Sequence, residues 1–206
     1  MKKAIILANG DYPKKSKNLT LIQNAETVVC CDGAANEYIK QGNIPTYIVG
    51  DCDSLLPEYK VQFEERIHIV SDQSINDQTK AVLFLKERGF DTIDIFGATG
   101  KREDHTLGNI FLLAEYLNLN MEIKSHTDYG YFQACRGDNT FHCTPRQQIS
   151  IFNINAKNLK SKGLVYPIYD FTAQWQGTLN ETIGYDFAIS AEGDYIVFFS
   201  DDVKNF

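Results

Sequence analysis

The sequence predicts an α/β domain with a parallel, Rossmann-like sheet, followed by an antiparallel β-sandwich or jelly-roll domain. Through about residue 120, short and continuously apolar runs alternate with longer helical periods. This pattern is typical of buried parallel strands that are separated by helices. From residue 121 onward, strand-like runs and turn signals replace the helical periods. We therefore expect two domains, an α/β domain at residues 1–120 and a β-domain at residues 121–206.

The first half is expected to contain five buried strands and three helices. The strands are predicted at residues 4–8, 27–31, 47–50, 67–70 and 92–96, and the helices at residues 34–41, 77–88 and 104–117. Asn76 is a suitable N-cap for the second helix, and Gly89 is a suitable stop. Apolar residues at offsets of three and four predict one buried stripe on the third helix. Its members are Leu107, Ile110, Phe111, Ala114 and Leu117.

The second half is expected to contain short antiparallel strands. They are predicted at residues 121–127, 130–135, 140–143, 148–153, 185–190 and 195–200. Phe187 and Ile189 alternate with polar or small residues, as in a strand with one buried face. The turn residues at 137–139 and 192–194 predict two hairpins.

Composition excludes some classes of function. The net charge of −7 over 206 residues argues against a general nucleic-acid binder, because no basic surface is supplied. No apolar stretch approaches membrane-spanning length, and the apolar run at residues 4–8 is too short for a signal peptide. The five cysteines are odd in number and lack zinc-ligand spacing. These features predict a cytoplasmic protein without a membrane or nucleic-acid partner.

Acidic residues and glycines follow nearly every predicted parallel strand. The segments are Asn9-Gly10-Asp11, Asp32-Gly33, Gly50-Asp51-Cys52-Asp53, Ser71-Asp72 and residues 97–100. In an open parallel sheet, ligands bind outside the carboxyl ends of the strands. Asp51 and Asp53, at i and i+2, would repel one another unless a cation lay between them, and Mg²⁺ is the hard cation that suits carboxylates beside phosphates. Taken alone, the pair is equally consistent with a solvated acidic turn.

Two further segments offer what a phosphate group needs. At the start of the second helix, free N–H groups and Lys80 suit phosphate, Thr79 can donate a hydrogen bond, and Asp77 can join a metal. The alternative is a capped surface helix in which Asp77 and Lys80 pair at i, i+3. In the second segment, residues 97–105, the glycines allow a close backbone approach and Arg102 offers a planar fork. The alternative is an ordinary loop.

These motifs, in this order, resemble the thiamin pyrophosphokinase family over almost the whole chain. The matching blocks are residues 32–36, 50–54, Asp72 with 76–81, 97–109, 163–167 and 177–181. The resemblance implies a homodimer with active sites at the subunit interface, ATP and thiamine as substrates, and Mg²⁺ as cofactor. One departure is Leu179, which stands where many members carry a serine before the Asn-Glu pair.

The resemblance also implies roles for individual residues. The Mg²⁺ ligands would be Asp51, Asp53 and Asp77, with Lys80 and Arg102 completing the catalytic set. ATP contacts would come from Asp32, Asp72, Thr79, Lys80, Arg102, Asp104 and His105. Trp175 and Asn180 would contact thiamine. Two residues have simpler interpretations, since Trp175 could be a core aromatic and His105 a solvent-exposed residue at a helix start.

We therefore expect pyrophosphoryl transfer from ATP to the thiamine hydroxyl, giving thiamine diphosphate and AMP. Two alternatives remain open at this point. One is a pyrophosphokinase for another small alcohol, and the other is a non-catalytic nucleotide sensor. The dense set of carboxylates argues against the sensor, because a pure binder has little use for so many repelling charges.

Overall fold

A computed structural model describes residues 1–203 and divides the chain into two compact units. The first unit comprises Met1–Leu112 and Leu119–Asp128, and the second comprises Leu113–Asn118 and the chain from Tyr129 onward. The first unit carries a parallel sheet and the second carries antiparallel sheets. The predicted fold class is confirmed.

The first unit contains six parallel strands in the order β6-β5-β1-β2-β3-β4. They are β1 (Lys3–Leu7), β2 (Val28–Cys31), β3 (Tyr47–Gly50), β4 (Ile67–Ile69), β5 (Thr92–Phe96) and β6 (Glu122–Thr127). The first five match the predicted strands closely in position, but β4 is an edge strand that is not buried, with Ile69 71% exposed. The assignment of residues 121–127 to the antiparallel half is wrong, because β6 pairs in parallel with β5 and places Ile123 beside Ile93. The first unit thus extends to Asp128 rather than ending at residue 120.

Five α-helices accompany these strands. They are α1 (Ser16–Gln23), α2 (Ala34–Lys40), α3 (Pro57–Gln62), α4 (Asp77–Glu87) and α5 (Glu103–Tyr116), with single 3₁₀ turns at Glu64–Arg66 and Leu117–Leu119. The three predicted helices are present, and Asn76 caps α4 through a hydrogen bond from the Thr79 N–H. The sequence missed α1 and α3 because α1 buries only Asn18 and Ile22 and α3 buries no residue, so neither shows an apolar stripe.

The predicted buried stripe on α5 is only partly buried within the chain. Ala114 is buried, whereas Leu107 is 55% exposed and Phe111 is 40% exposed. Leu113 and Tyr116 are buried although neither belonged to the stripe. Periodicity identifies residues that share a helix face, but it does not show whether another element covers that face.

The strands of the second unit pair antiparallel and belong to two sheets, in the orders β11-β9-β13-β7 and β10-β12-β8. The strands are β7 (Gly130–Arg136), β8 (Asn139–His142), β9 (Gln147–Asn153), β10 (Lys157–Lys162), β11 (Asn180–Glu181), β12 (Asp186–Glu192) and β13 (Asp194–Val203). Phe187 and Ile189 are buried as their alternation predicted. The sequence missed β11, which has two residues, and β10, in which only Leu159 is buried.

Both predicted hairpin turns in the second unit are wrong, because they join strands of different sheets. Residues 137–139 lead from β7 to β8, and residues 192–194 lead from β12 to β13. The two corners contact each other, with the Gly137 N–H donating to the Gly193 carbonyl at 2.9 Å. Asp138 accepts hydrogen bonds from Ser190 Oγ at 2.7 Å and the Ala191 N–H at 3.0 Å. Turn residues predict a change of direction and not which strands will pair.

Candidate functional site

A cleft of about 670 Å³ lies at the carboxyl edge of the parallel sheet in the first unit. It brings together most of the residues that the sequence indicated for this half. Those that line it are Asp32, Asp51, Asp53, Asp77, Lys80, Arg102 and His105. Asp72, Thr79 and Asp104 are not among the lining residues. The convergence follows from the topology, because parallel strands deliver the loops after them to one edge of the sheet.

Three carboxylates of the cleft form a compact cluster, which we call the acid cluster: Asp32, Asp51 and Asp53. One oxygen from each lies within 4.8 Å of the other two. Asp32 is only 5% exposed, and its Oδ2 accepts a hydrogen bond from the Ser54 N–H at 3.2 Å. Its Oδ1 is buried and has no hydrogen-bond donor among residues 1–203. A buried carboxylate oxygen without a donor, next to two more carboxylates, fits a hard divalent cation.

The electrostatics of the acid cluster differ between its members. Burial raises the pKa of Asp32, and the nearby charges of Asp53 and Asp77 raise it further against the hydrogen bond from Ser54. The pKa of Asp51 is lowered, chiefly by a 3.1 Å hydrogen bond from Gln73 Nε2. Of Asp32 and Asp51, Asp32 is therefore the residue whose ionised form is less favourable in the folded protein when no cation is bound.

The backbone around the acid cluster adopts uncommon conformations. Asp32 and Cys52 have positive φ angles of 39° and 60°, which are unfavourable for residues with a side chain. Gly50 leaves room for two acids, since a Cβ there would lie 3.0 Å from Asp32 Cβ and 3.3 Å from Asp77 Oδ1. The fold thus brings the carboxylates together at a local conformational cost, as is common at functional sites.

The structure places Asp77 differently from the predicted metal set. Its Oδ1 lies 2.9 Å from Lys80 Nζ, so the i, i+3 pair that served as the simpler interpretation is present. The three carboxylates whose oxygens lie close enough together to share a metal ion are Asp32, Asp51 and Asp53, and the predicted role of Asp77 as a ligand stays a prediction. Lys80 is only 4% exposed. Burial alone would lower the pKa of Lys80, but the hydrogen bond to Asp77 and the charges of Asp77, Asp51 and Asp72 raise it, so it stays an ammonium ion.

The glycine loop after β5 packs against the loop after β1. The Gly10 N–H donates to the Gly97 carbonyl at 2.7 Å, and a Cβ on Gly10 would lie 2.2 Å from the Thr99 carbonyl oxygen. Lys101 Nζ donates to the Asn9 carbonyl at 3.0 Å, and Asn9 also lines the cleft. These glycines are therefore required for contact between two loops. Their approach to a phosphate group stays a prediction.

Arg102 and Asp104 form a bidentate pair at the mouth of the cleft. The distances are 3.1 Å from Nε to Oδ1 and 2.6 Å from Nη2 to Oδ2, and both side chains are exposed. The guanidinium lowers the pKa of Asp104 to about 2. Asp104 thus orients Arg102 and does not itself line the cleft. His105 is exposed and lines the cleft, so its predicted exposure and its predicted place in the site are compatible.

Sequence reasoning assigned no role to several residues that line the cleft: Asn9, Ser54, Gln73 and Asn109. Gln73 donates a hydrogen bond to Asp51. The turn that carries Gln73 is closed by Asp72, which accepts hydrogen bonds from the Ser74 N–H at 2.8 Å and from Ser74 Oγ at 2.6 Å. The signal for such a turn is the Asp-x-Ser spacing itself. Asp72 therefore shapes the loop that brings Gln73 to Asp51.

In the second unit, Trp175 and Asn180 have opposite environments. Trp175 is 73% exposed, so the core-aromatic alternative is wrong. Asn180 is 5% exposed, and its amide makes hydrogen bonds to both backbone groups of Tyr166, at 2.7 Å from Nδ2 and 3.1 Å to Oδ1. Leu179 is 71% exposed. Asn180 thus fixes the backbone at Tyr166, and its direct contact with thiamine stays a prediction.

Two family models match this chain. "Thiamin pyrophosphokinase, catalytic domain" matches residues 19–125, and "Thiamin pyrophosphokinase, substrate-binding domain" matches residues 130–198. The chain belongs to the thiamin pyrophosphokinase family. The two matched ranges meet where the compact units divide, near Asp128. Among residues 1–203, no helix of the chain is long and apolar enough to span a membrane.

Curated members of the thiamin pyrophosphokinase family match parts of the chain. Thiamine pyrophosphokinase of Bacillus subtilis is 38% identical over an alignment of 89 residues, and the match covers 40% of this chain and 41% of that protein. Thiamine pyrophosphokinase 1 of Oryza sativa subsp. japonica is 28% identical over an alignment of 147 residues, and the match covers 59% of this chain and 55% of that protein. The matched segments therefore span about half or less of these relatives.

Solved structures from the thiamin pyrophosphokinase family share the fold over nearly the whole chain. The Bacillus subtilis structure has a TM-score of 0.81 at 24% identity and covers 98% of this chain and 100% of its own. The yeast structure also has a TM-score of 0.81, at 16% identity, and covers 97% of this chain and 86% of its own. At these identities the likeness supports the two-domain fold.

Proposed function

We propose that this protein transfers the pyrophosphoryl group of ATP to the hydroxyl of thiamine, giving thiamine diphosphate and AMP. The observation that carries the proposal is the cleft in which three clustered carboxylates lie beside a buried lysine. The acid cluster and Lys80 lie in the part of the chain that matches the family's catalytic domain. Such a site suits a polyanionic substrate only when a cation accompanies it.

The residues of the acid cluster are the proposed ligands of Mg²⁺. Asp32, Asp51 and Asp53 would hold the ion, and Asp77, whose Oδ1 would lie 3.3 Å from a Cβ on Gly50, is a further candidate ligand. When bound, Mg²⁺ neutralises phosphate charge and aligns the phosphate oxygens for in-line displacement.

The cationic side chains have separate tasks in the proposed reaction. Lys80, held by Asp77 at the start of α4, places a fixed positive charge against the phosphates. Arg102, oriented by Asp104, offers the remaining donors of its fork. Such contacts strengthen as charge develops in the transition state. The thiamine hydroxyl attacks the β-phosphorus, AMP leaves, and an aspartate of the cleft accepts the hydroxyl proton.

The second unit is the proposed thiamine-binding unit. The exposed indole of Trp175 suits stacking against a flat heteroaromatic cation. Asn180 fixes the backbone of Tyr166 through two hydrogen bonds. The protein is proposed to act as a cytoplasmic homodimer, with each site completed by the partner subunit. Co-refolding Asp51→Asn and Trp175→Ala subunits tests this, since about a quarter of wild-type activity should return in a random mixture.

The deciding experiment measures AMP release from ATP and Mg²⁺ with and without thiamine. Thiamine-dependent AMP and thiamine diphosphate are the expected products. AMP release only with a different alcohol would favour another pyrophosphokinase, and ATP binding without AMP would favour the sensor. Asp51→Asn should abolish turnover, whereas Asp202→Asn, an exposed aspartate outside the cleft, should leave it unchanged.

A further inference from the structure

Asn109, on α5, connects two walls of the cleft through its side-chain amide. Its Nδ2 donates to the Ala98 carbonyl at 2.9 Å, in the glycine loop after β5. Its Oδ1 accepts from Asn76 Nδ2 at 2.9 Å, at the start of α4. Asn76 Oδ1 in turn accepts from the Thr79 N–H at 2.9 Å. A continuous chain of hydrogen bonds thus runs from the first turn of α4 to the glycine loop.

The direction of this hydrogen-bond chain is fixed at both ends. The Ala98 carbonyl can only accept, so Asn109 must offer its NH₂ there and its oxygen to Asn76. The Thr79 N–H can only donate, so Asn76 must offer its oxygen there and its NH₂ to Asn109. Both amides therefore have one orientation, and no single flip preserves the bonds. A third contact, from Gln78 Nε2 to the Asn109 backbone carbonyl at 3.1 Å, adds to the link.

The two walls that Asn109 joins carry the cationic groups of the cleft. The first turn of α4 bears Asp77 and Lys80, and the glycine loop leads directly into Arg102. A displacement of about 1 Å between reacting groups can cost on the order of 100-fold in rate.

We propose that Asn109 is a positioning residue, which sets the spacing between the Lys80 wall and the Arg102 wall of the phosphate site. This rests on the proposed pyrophosphoryl transfer. Asn109→Ala should lower kcat by about 10- to 100-fold while the KM for thiamine changes by less than about threefold, because the spacing matters most when charge develops. Amide hydrogen exchange should become faster at Thr79 and at residues 97–101.

A second variant tests the link without altering α5. Asn76→Ser keeps an oxygen that can cap α4 but loses the NH₂ that reaches Asn109. It should show a similar fall in kcat, and the double variant Asn76→Ser/Asn109→Ala should be no worse than Asn109→Ala. If Asn109→Ala fails to fold, Asn76→Ser carries the test by itself.

The matched control is Asn139→Ala, in the second unit. Asn139 Nδ2 lies within hydrogen-bond distance of the Arg136 and Gly137 carbonyls and of Tyr195 Oη, at 3.1, 3.1 and 2.9 Å. Its removal should lower Tm and leave kcat unchanged. A fall in Tm with full kcat for Asn109→Ala, or additive losses in the double variant, would overturn the positioning role alone. An inactive wild-type protein would overturn the proposed function together with it.

Discussion

Lys80 Nζ lies 2.9 Å from Asp77 Oδ1, one helical turn away on α4. Only 3% of the Lys80 side chain is exposed, so this ammonium ion sits at the base of the cleft with a carboxylate as its partner. The pair is therefore both the i, i+3 pair of a capped helix and a fixed charge inside a candidate phosphate site. The Asp77–Lys80 pair is therefore compatible with both interpretations of this segment, the capped helix and the phosphate site.

The first prediction concerns this buried cation. Lys80→Ala should lower kcat by on the order of 10²- to 10³-fold, with a smaller effect on the KM for thiamine, since a fixed charge acts mainly on the transition state. Steady-state kinetics measure both constants. The control is Lys40→Ala, which removes an exposed lysine from an i, i+3 pair with Glu37 and should change neither. A pure rise in the thiamine KM with Lys80→Ala would contradict the assignment.

The second prediction concerns Asp32. Asp32→Asn should stabilise the metal-free protein by about 0.5–2 kcal/mol at pH 7, because it removes a buried charge whose Oδ1 has no donor. Because the pKa of Asp32 is raised in the folded protein, its charged form destabilises the fold above that pKa. The destabilisation vanishes below the pKa that Asp32 has in the unfolded chain. The gain should therefore disappear as the pH falls to about 4. Urea unfolding at several pH values measures it.

Asp32→Asn should also lose turnover and Mg²⁺-dependent stabilisation. The comparison is Asp53→Asn, which should lose turnover with a smaller gain in stability, because it removes the repulsion between Asp53 and Asp32 but leaves the Asp32 charge buried. Equal free energies of unfolding for the two variants at pH 7 would show that the burial of the Asp32 charge does not destabilise the protein.

The third prediction concerns Asp94, a buried carboxylate outside the cleft. Its oxygens lie 2.6 Å from Lys3 Nζ and 2.8 Å from His126 Nε2. Burial opposes ionisation, but the hydrogen bonds from His126 and Lys3 outweigh it and lower the pKa of Asp94. Asp94→Asn should therefore reduce the free energy of unfolding by about 3 kcal/mol at pH 7.

The pH dependence of Asp94 has the opposite sign to that of Asp32. A lowered pKa gives stability that is present above the unfolded pKa and lost as the pH falls through the folded one. The difference between wild type and Asp94→Asn should thus shrink below about pH 4. Glu122→Gln, in an exposed pair with Lys124 at 2.8 Å, should cost less than about 1 kcal/mol. Equal losses for the two variants would contradict the buried network.

The sequence predicted the parallel strands and the edge where the acids meet, because continuous apolar runs and the residues after them are local signals. It could not predict that Asp32 would cluster with Asp51 and Asp53 while Asp77 pairs with Lys80. This arrangement depends on the close approach of Asp32 and Asp77 to Gly50 and on the ion pair between Asp77 and Lys80. The sequence also could not predict that β12 pairs with β8, because turn residues do not specify the sheet that a strand joins.

The last prediction separates two residues of the second unit that the family resemblance grouped together. Trp175→Ala should leave stability within about 0.5 kcal/mol of wild type, because the indole is 73% exposed. It should raise the KM for thiamine between about twofold and 30-fold, which corresponds to the 0.5–2 kcal/mol of an aromatic–cation stack. The KM for ATP should not change. Tyr185→Ala, which removes an equally exposed aromatic side chain at 74%, should leave both constants unchanged.

Asn180→Ala should instead act mainly on folding. The variant leaves the backbone groups of Tyr166 and the Glu181 N–H without the amide that now bonds them, at a cost of about 2–3 kcal/mol. Thermal unfolding measures this loss, and the thiamine KM is then measured well below the lowered Tm. A rise in KM with unchanged stability would show that the Asn180 amide contacts thiamine directly. A loss of stability with a nearly normal KM would show that it acts by holding the chain around Tyr166.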